Sequence, residues 1–366
     1  MKTIIYKLLW SFSIVLLITS CSKEVQVANE QFTQEQSTLD MKSISISQGV
    51  LKFNSRADFK NTLKALNGKS VNFVLDWNKS LGFRSQEAIF QEIIEAENIV
   101  RDKQAAGLDP DITLKEFLDA GLTWDHSPIY IEYINKGLII EMTDHDGCKW
   151  FKHNVLNPTY MPLLNEEGFV VLGDTLYQFT KDKVKYSPGG SLSKIPKLAD
   201  ANETDQDQNI YVVTVKDRQK ATVDWGKSTG WKYDPSNNKK RVMAEVVGLS
   251  PYISYPVLGI TVTYYKEITA HKKVLFWWNI RNDYKPIEWT QGSWYWTEYY
   301  TSSPDFNGSG TLSYPFPGNT NYCKIYLDPD GWVGNGSVEL EEFEINSYYF
   351  NSSADGIISS LVLVGP

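Results

Sequence analysis

The chain has 366 residues, 42% of them hydrophobic and 22% charged, so it has the apolar content to build full cores and is not a disordered chain. Its net charge is −8 and no lysine or arginine cluster stands out. Nucleic acid is therefore excluded as an expected partner, because binding phosphates needs a basic face.

The N-terminus carries Lys2 and Lys7, then an apolar run from Leu8 to Ile18, and then Thr19-Ser20-Cys21. That run is about eleven residues, the size of a signal-peptide core and well short of the roughly 20 needed to span a bilayer. Small residues directly before a cysteine form a lipobox. The expectation is cleavage before Cys21, leaving residues 1–20 as a lipoprotein signal peptide, and acylation of the Cys21 thiol. One acyl chain holds a protein only reversibly, whereas two or three on one cysteine hold it firmly. Ser22-Lys23-Glu24 follows, a short charged tag similar to the export signal of lipoproteins that Bacteroidetes-type bacteria send to the cell surface. The location expected is the outer membrane, surface-exposed, with the periplasmic face as the alternative.

Residues 21–48 are polar and without apolar period, which reads as a tether. Order is expected from Leu51-Lys52-Phe53. Phe59, Leu63 and Leu66 give one helical face over Arg56 to Leu66, with Ser55 as N-cap. A second helix begins after Ser85, with a stripe of Ile89, Phe90, Ile93, Ile94, Ile99 and Val100. A third runs from Thr113 to Leu122 and opens on the capping box Thr-Leu-Lys-Glu. The period then changes to two. Ile129 to Tyr133 and Leu138 to Met142 read as strands about the turn Asn135-Lys136-Gly137. Phe169 to Leu172 and Thr175 to Phe179 flank Gly173-Asp174, a two-residue hairpin loop.

Residues 181–209, rich in Pro, Gly, Ser, Lys and Asp, read as a linker or long loop between an α+β domain (49–180) and a β-sandwich-like domain (210–366). The fold class expected is α+β: N-terminal helices packed on a small antiparallel sheet, followed by an all-β part. Its strand candidates are Ile210 to Val215, Arg241 to Val247, Leu258 to Tyr265, Lys273 to Ile280, Ser293 to Tyr300, Cys323 to Leu327 and Ile357 to Val364.

Three motifs carry a family likeness. They are the run from Trp77 to Ser85, Leu164-Asn165-Glu166-Glu167-Gly168, and Leu172-Gly173-Asp174-Thr175-Leu176-Tyr177. In this order they resemble uncharacterised lipoproteins of Bacteroidetes-type gut bacteria, including ones classed only as a domain of unknown function. The likeness runs from Leu51 to about Tyr300 and brings no catalytic or ligand residues with it. Asp76 to Phe83 also echoes Asp224 to Trp231, a match that flanking residues do not continue.

No metalloprotease, Cys-x-x-Cys, phosphate-loop or nucleophile-elbow motif is present. Ser191 with Lys194, and Ser236 with Lys239, fit Ser-x-x-Lys at the level chance provides. Asp144-His145-Asp146-Gly147 and Asp328-Pro329-Asp330-Gly331 read as β-turns rather than ion loops, because neither continues the calcium pattern. No metal and no cofactor is expected. Glu339 and Glu341 on one strand face, and Glu342 and Glu344 on the other if no bulge intervenes, read as a solvated sheet edge. Cys148 and Cys323 are a candidate disulfide in an oxidising compartment, with two buried thiols as the alternative.

Aromatic residues are the one concentrated signal. Residues 205–366 hold eight of the twelve tryptophans and fifteen of the twenty-one tyrosines. Trp277, Trp278, Trp294, Trp296 and Tyr299 are the candidate ligand-binding set, since exposed rings stack on sugars or on a partner's surface. The competing reading is core filler. The function expected is a lipid-anchored, non-catalytic envelope module that binds a glycan or an envelope protein. The alternatives are a polysaccharide-active hydrolase and a purely structural envelope component.

Overall fold

Local signals build the helices. Ser55, Ser70, Ser85, Thr113 and Ser127 each accept a backbone N–H three residues on, which satisfies donors that a helix start leaves unpaired. They open α1 (Arg56–Leu66), α2 (Val71–Ser80), α3 (Gln86–Ala106), α4 (Leu114–Asp119) and α5 (Pro128–Asn135); α6 (Ile195–Asp200) follows later. The capping box at Thr113 and Glu116 is closed in both directions.

The computed structural model describes residues 43–66, 69–155, 157–214, 225–228, 230–234, 237–249, 252–253, 259–260, 263–281, 287–300, 303–314, 322–327, 338–352 and 357–364. From residue 287 onward the description is of backbone and register. Cys21 and Asp328 to Gly331 lie outside the described residues.

The strands, in chain order, are β1 (Ile44–Ser47), β2 (Val50–Phe53), β3 (Ile139–Thr143), β4 (Lys149–His153), β5 (Phe169–Leu172), β6 (Thr175–Phe179), β7 (Lys183–Pro188) and β8 (Tyr211–Thr214). There follow β9 (Trp225–Ser228), β10 (Lys232–Asp234), β11 (Asn237–Leu249), β12 (Tyr252–Ile253), β13 (Gly259–Ile260), β14 (Thr263–Val274) and β15 (Trp277–Ile280). The last five are β16 (Ile287–Tyr300), β17 (Ser303–Tyr314), β18 (Tyr322–Leu327), β19 (Val338–Ser352) and β20 (Ile357–Val364).

The class is α+β. A six-stranded sheet runs β1-β2-β5-β6-β7-β8, with β2 and β5 parallel and the other pairs antiparallel. An eight-stranded sheet runs β10-β11-β14-β15-β4-β3, with β18 added on β14 and β9 on β11. A four-stranded antiparallel sheet runs β17-β16-β19-β20, and β12 pairs β13. Residues 181–209, expected as linker or loop, contain β7, a 3₁₀ turn at Leu192–Lys194 and α6. Strands from both sides of this segment share sheets: β8 completes the first, and β15 pairs in parallel with β4 in the second.

Several local expectations are corrected. Ile129 to Tyr133 is helix, not strand. Ser127 caps it, Pro128 sits at its first turn where a missing N–H costs nothing, and Tyr130 and Tyr133 are buried on one face. Val71 to Ser80 is a further helix, capped by Ser70, with Phe73, Val74 and Trp77 buried. Lys273 to Ile280 is a hairpin rather than one strand: Val274 pairs Trp277 around Leu275, whose φ is +54°. The Asp76–Phe83 and Asp224–Trp231 echo, which flanking residues do not continue, falls on different secondary structure. Its first copy lies on the end of α2 and its second on β9. The glutamate strand β19 carries a bulge between Glu342 and Glu339, and β20 pairs it only from Glu344 to Ser352, so Glu339, Glu341 and Glu342 lie on a stretch paired with β16 alone.

The main core lies under α3 and α5. Ile89, Phe90, Ile93, Ile94, Tyr130, Tyr133, Phe151, Met161 and Trp277 form its centre. A second core beneath the six-stranded sheet gathers Val50, Phe169, Val171, Leu176, Leu198 and Ile210.

Candidate functional site

Two of the five candidate rings sit on β15. Successive strand residues face opposite sides of a sheet, so Trp277 and Trp278 enter different surroundings. Both are buried, at 0% and 2% exposure, so neither offers a surface to a ligand. This corrects the expectation that they belong to an exposed platform.

Trp277 meets the helices. The Arg101 guanidinium lies over its ring at 4.0 Å. Glu97, one turn earlier on α3, places Oε2 2.9 Å from Arg101 Nη2, and both side chains are 1% exposed. The Ser127 N–H donates to Glu97 Oε1 at 2.7 Å. His126 Nδ1 stands 2.9 Å from Arg101 Nη2 and 3.2 Å from Glu97 Oε2, and its ring stacks on Tyr130 at 4.2 Å. Tyr130 donates to Glu141, which Lys149 also pairs. Burial pushes the Glu97 carboxyl up, but His126, the Ser127 N–H and Arg101 pull it down further, so it is held below the usual carboxylate range.

Trp278 meets a second arginine. Arg241 is fully buried, with its guanidinium 3.9 Å from the centres of both Trp231 and Trp278. Its Nη1 is 2.9 Å from Asp144 Oδ2, and the Trp278 indole N–H donates to the same oxygen at 2.8 Å. Arg241 Nε donates to His271 Nδ1 at 3.3 Å, which leaves the His271 proton on Nε2, where no acceptor stands. Burial first, and then the neighbouring Arg241 charge, push His271 well below the ordinary histidine range, so it is neutral.

Each arginine therefore fills an aromatic and carboxylate setting that would otherwise suit an external cation. Arg101 Nε and Nη1 and Trp277 Nε1 lack acceptors, so this polar cluster is tightly packed and incompletely paired. The arrangement ties β15, which lies between β14 and β4 in the sheet, to α3 on one face and to Arg241 of β11 on the other. Sequence reasoning missed Arg101 and Arg241 as partners of these rings. The Glu97 to Arg101 spacing of four on a helix was the one available signal.

The three ligand atoms of Asp144, His145 and Asp146 fall within 4.8 Å of one another. Asp144, however, already accepts from Arg241, Trp278, Asp146 N–H and Cys148 N–H, which closes the turn between β3 and β4. Cys148 is a buried free thiol, so the proposed bridge to Cys323 is corrected; burial raises its pKa. Ser191 caps nothing, and Lys194 Nζ donates to the Gln208 carbonyl. A crevice of about 20 Å³ lined by Ile89, Phe90, Ile93, Leu138 and Met161 has room for one water-sized group.

The other three candidates lie on β16. Trp294 and Trp296 share one face, with Gly310 and Gly308 as their partners on β17 and Phe343 beside Trp296 on β19. Tyr299 is an odd-numbered position with Tyr295 and Thr297, so it lies on the opposite face. Register thus groups the two tryptophans and separates Tyr299 from them.

No family model matches the chain, and no curated protein matches it. Among solved structures it is similar to a DUF4848 family protein from Bacteroides thetaiotaomicron VPI-5482, at 14% identity over 87% of this chain and 100% of that one, with a TM-score of 0.25. A superposition this loose assigns no activity or ligand.

Proposed function

We propose that the chain is a lipid-anchored, non-catalytic binding module of the cell envelope. It is held at the outer membrane through Cys21 and takes a glycan or an envelope protein on its four-stranded sheet. The carrying observation is the register of β16. Trp294 and Trp296 fall on one face, and Tyr295 and Tyr299 on the other. Whichever face meets solvent is therefore an aromatic one, and flat rings with polar edges suit stacking on sugars or on a partner surface. In the sandwich-like arrangement that belongs to this proposal, the other face turns inward.

Two measurements test it. Metabolic labelling with palmitate should mark the wild-type chain and leave Cys21→Ser unlabelled and released from membranes; equal partition of both forms ends the anchoring claim. Purified full-length protein in detergent should bind glycans on an array or retain an envelope partner. Its binding should fall in either the Trp294→Ala, Trp296→Ala double variant or the Tyr295→Ala, Tyr299→Ala double variant. Unaltered binding in both rejects the four-stranded sheet as the recognition element.

A further inference from the structure

We infer that the face of the four-stranded sheet bearing Tyr295 and Tyr299 recognises neutral oligosaccharides and excludes anionic ones. This rests on the proposal that the four-stranded sheet is the binding element, and it adds the face and the ligand class.

Register supplies the argument. On β16 the same-face series is Tyr295, Thr297, Tyr299. Their partners on β19 are Glu344, Glu342 and Glu339. On β17, Ser309 stands opposite Tyr295 and Asn307 opposite Thr297. Each tyrosine of this series thus has a glutamate as its register partner on β19.

Strict alternation along β19 would put Glu339 on the face away from Glu342 and Glu344. It does not, because the pairing shifts by one residue between Thr297 and Tyr299. Bulges of this kind bring a residue onto a face that alternation denies it. Three like charges in line on one face are unfavourable, and their register partners are Tyr, Thr and Val rather than Lys or Arg. Of the three, Glu344 has a strand on both sides, Tyr295 on β16 and Val364 on β20, whereas Glu339 and Glu342 lie beyond the end of the β20 pairing.

The opposite face reads as the packed one. Trp294, Trp296, Phe306, Phe343, Ile345 and Leu363 occupy its register positions, with glycines between them and one charged position, Glu298, opposite Phe306. An antiparallel sheet with one apolar and one polar face buries the first and solvates the second.

The chemistry of the polar face selects its ligand. Aromatic rings take the C–H face of a pyranose, while carboxylates accept from its hydroxyls. Three carboxylates repel uronates and sulfates. Tyr295 and Tyr299 are about 13 Å apart along the strand, a separation that fits an oligosaccharide better than a single sugar.

The test uses full-length protein in detergent, titrated with soluble neutral β-glucan, neutral mannan and polygalacturonate. At least one neutral polymer should bind and polygalacturonate should not. Tyr295→Ala and Tyr299→Ala should each weaken neutral binding at least tenfold, and the Glu342→Gln, Glu344→Gln pair should admit polygalacturonate. Melting curves establish that each variant is folded. Neutral binding retained in both tyrosine variants, or polygalacturonate bound by wild type, overturns the inference. Loss confined to Trp294→Ala and Trp296→Ala overturns it while sparing the four-stranded sheet. If wild type binds no glycan but retains a protein partner through this sheet, the glycan claim alone falls; if it binds neither, both readings fall.

Discussion

His271 makes stability fall with acid in a window that no carboxylate reaches. It is fully buried, accepts from Arg241 at Nδ1, and is held neutral by burial and by the Arg241 charge. Its folded pKa is depressed, whereas in the unfolded chain it takes up a proton near pH 6.5. Below that pH the unfolded state binds one proton more than the folded state, so stability decreases as pH falls. Each unit is worth about 1.4 kcal/mol, so going from pH 6.5 to pH 5 should cost about 2 kcal/mol from this residue. Urea unfolding followed by tryptophan fluorescence at half-unit steps measures the slope. The control is His271→Leu, which gives up the Arg241 hydrogen bond and so starts lower at pH 7.5, but should lose the decline assigned to this group. A wild-type curve that is flat between pH 6.5 and pH 5, or an unchanged slope in His271→Leu, would refute a neutral buried imidazole.

Other perturbations read different parts of the same architecture. Asp144→Asn leaves the Arg241 charge between two indoles without its counter-ion, and should cost about 3 kcal/mol in urea unfolding; a loss under about 1 kcal/mol, the level of a surface pair, would refute the burial argument. Below the usual carboxylate range, protonation of Glu97 and Asp144, both held low in the folded state, should remove further stability, and Glu97→Gln should blunt this acid limb of the stability curve. Gly168→Ala should destabilise by about 3 kcal/mol or more, because φ is +84° and a Cβ would stand 2.2 Å from the Phe179 carbonyl oxygen; a wild-type melting temperature would contradict this. The Cys148 thiol should resist a bulky thiol reagent in native protein and react in urea; rapid native labelling would contradict its burial.

Legibility of the fold followed the strength of local chemistry. The helices starting at Ser55, Ser85 and Thr113 announce themselves by a cap followed by an apolar face. The Gly173-Asp174 hairpin does so through a glycine at φ +64°. Where local signals competed, composition misled. Ile129 to Tyr133 is β-branched and aromatic, which favours a strand, yet Ser127-Pro128 starts a helix and tertiary packing buries its tyrosines. The Leu275-Phe276 turn has no Gly, Asn or Asp to mark it. Phe276 is held there by Phe117 and Trp124, contacts that sequence spacing does not reveal.

The candidate site shows the same limit more sharply, because aromatic density alone does not separate core from binding surface. At Trp277 and Trp278 the decision was made by partners far away in sequence. Arg101 and Arg241 lie over these rings, and their carboxylates and neighbouring indoles close the remaining space. A cation already stacked at about 4 Å on each ring removes a face that a sugar would need. At β16 the decision is made by parity and register, which a sequence provides only once its strand partners are known. A single bulge there carries Glu339 onto the face of Tyr295 and Tyr299, so the same run of residues without that bulge would describe a less acidic surface. Recognition by this chain is therefore argued from the pairing of β16 with β17 and β19, and not from how many rings the C-terminal half contains.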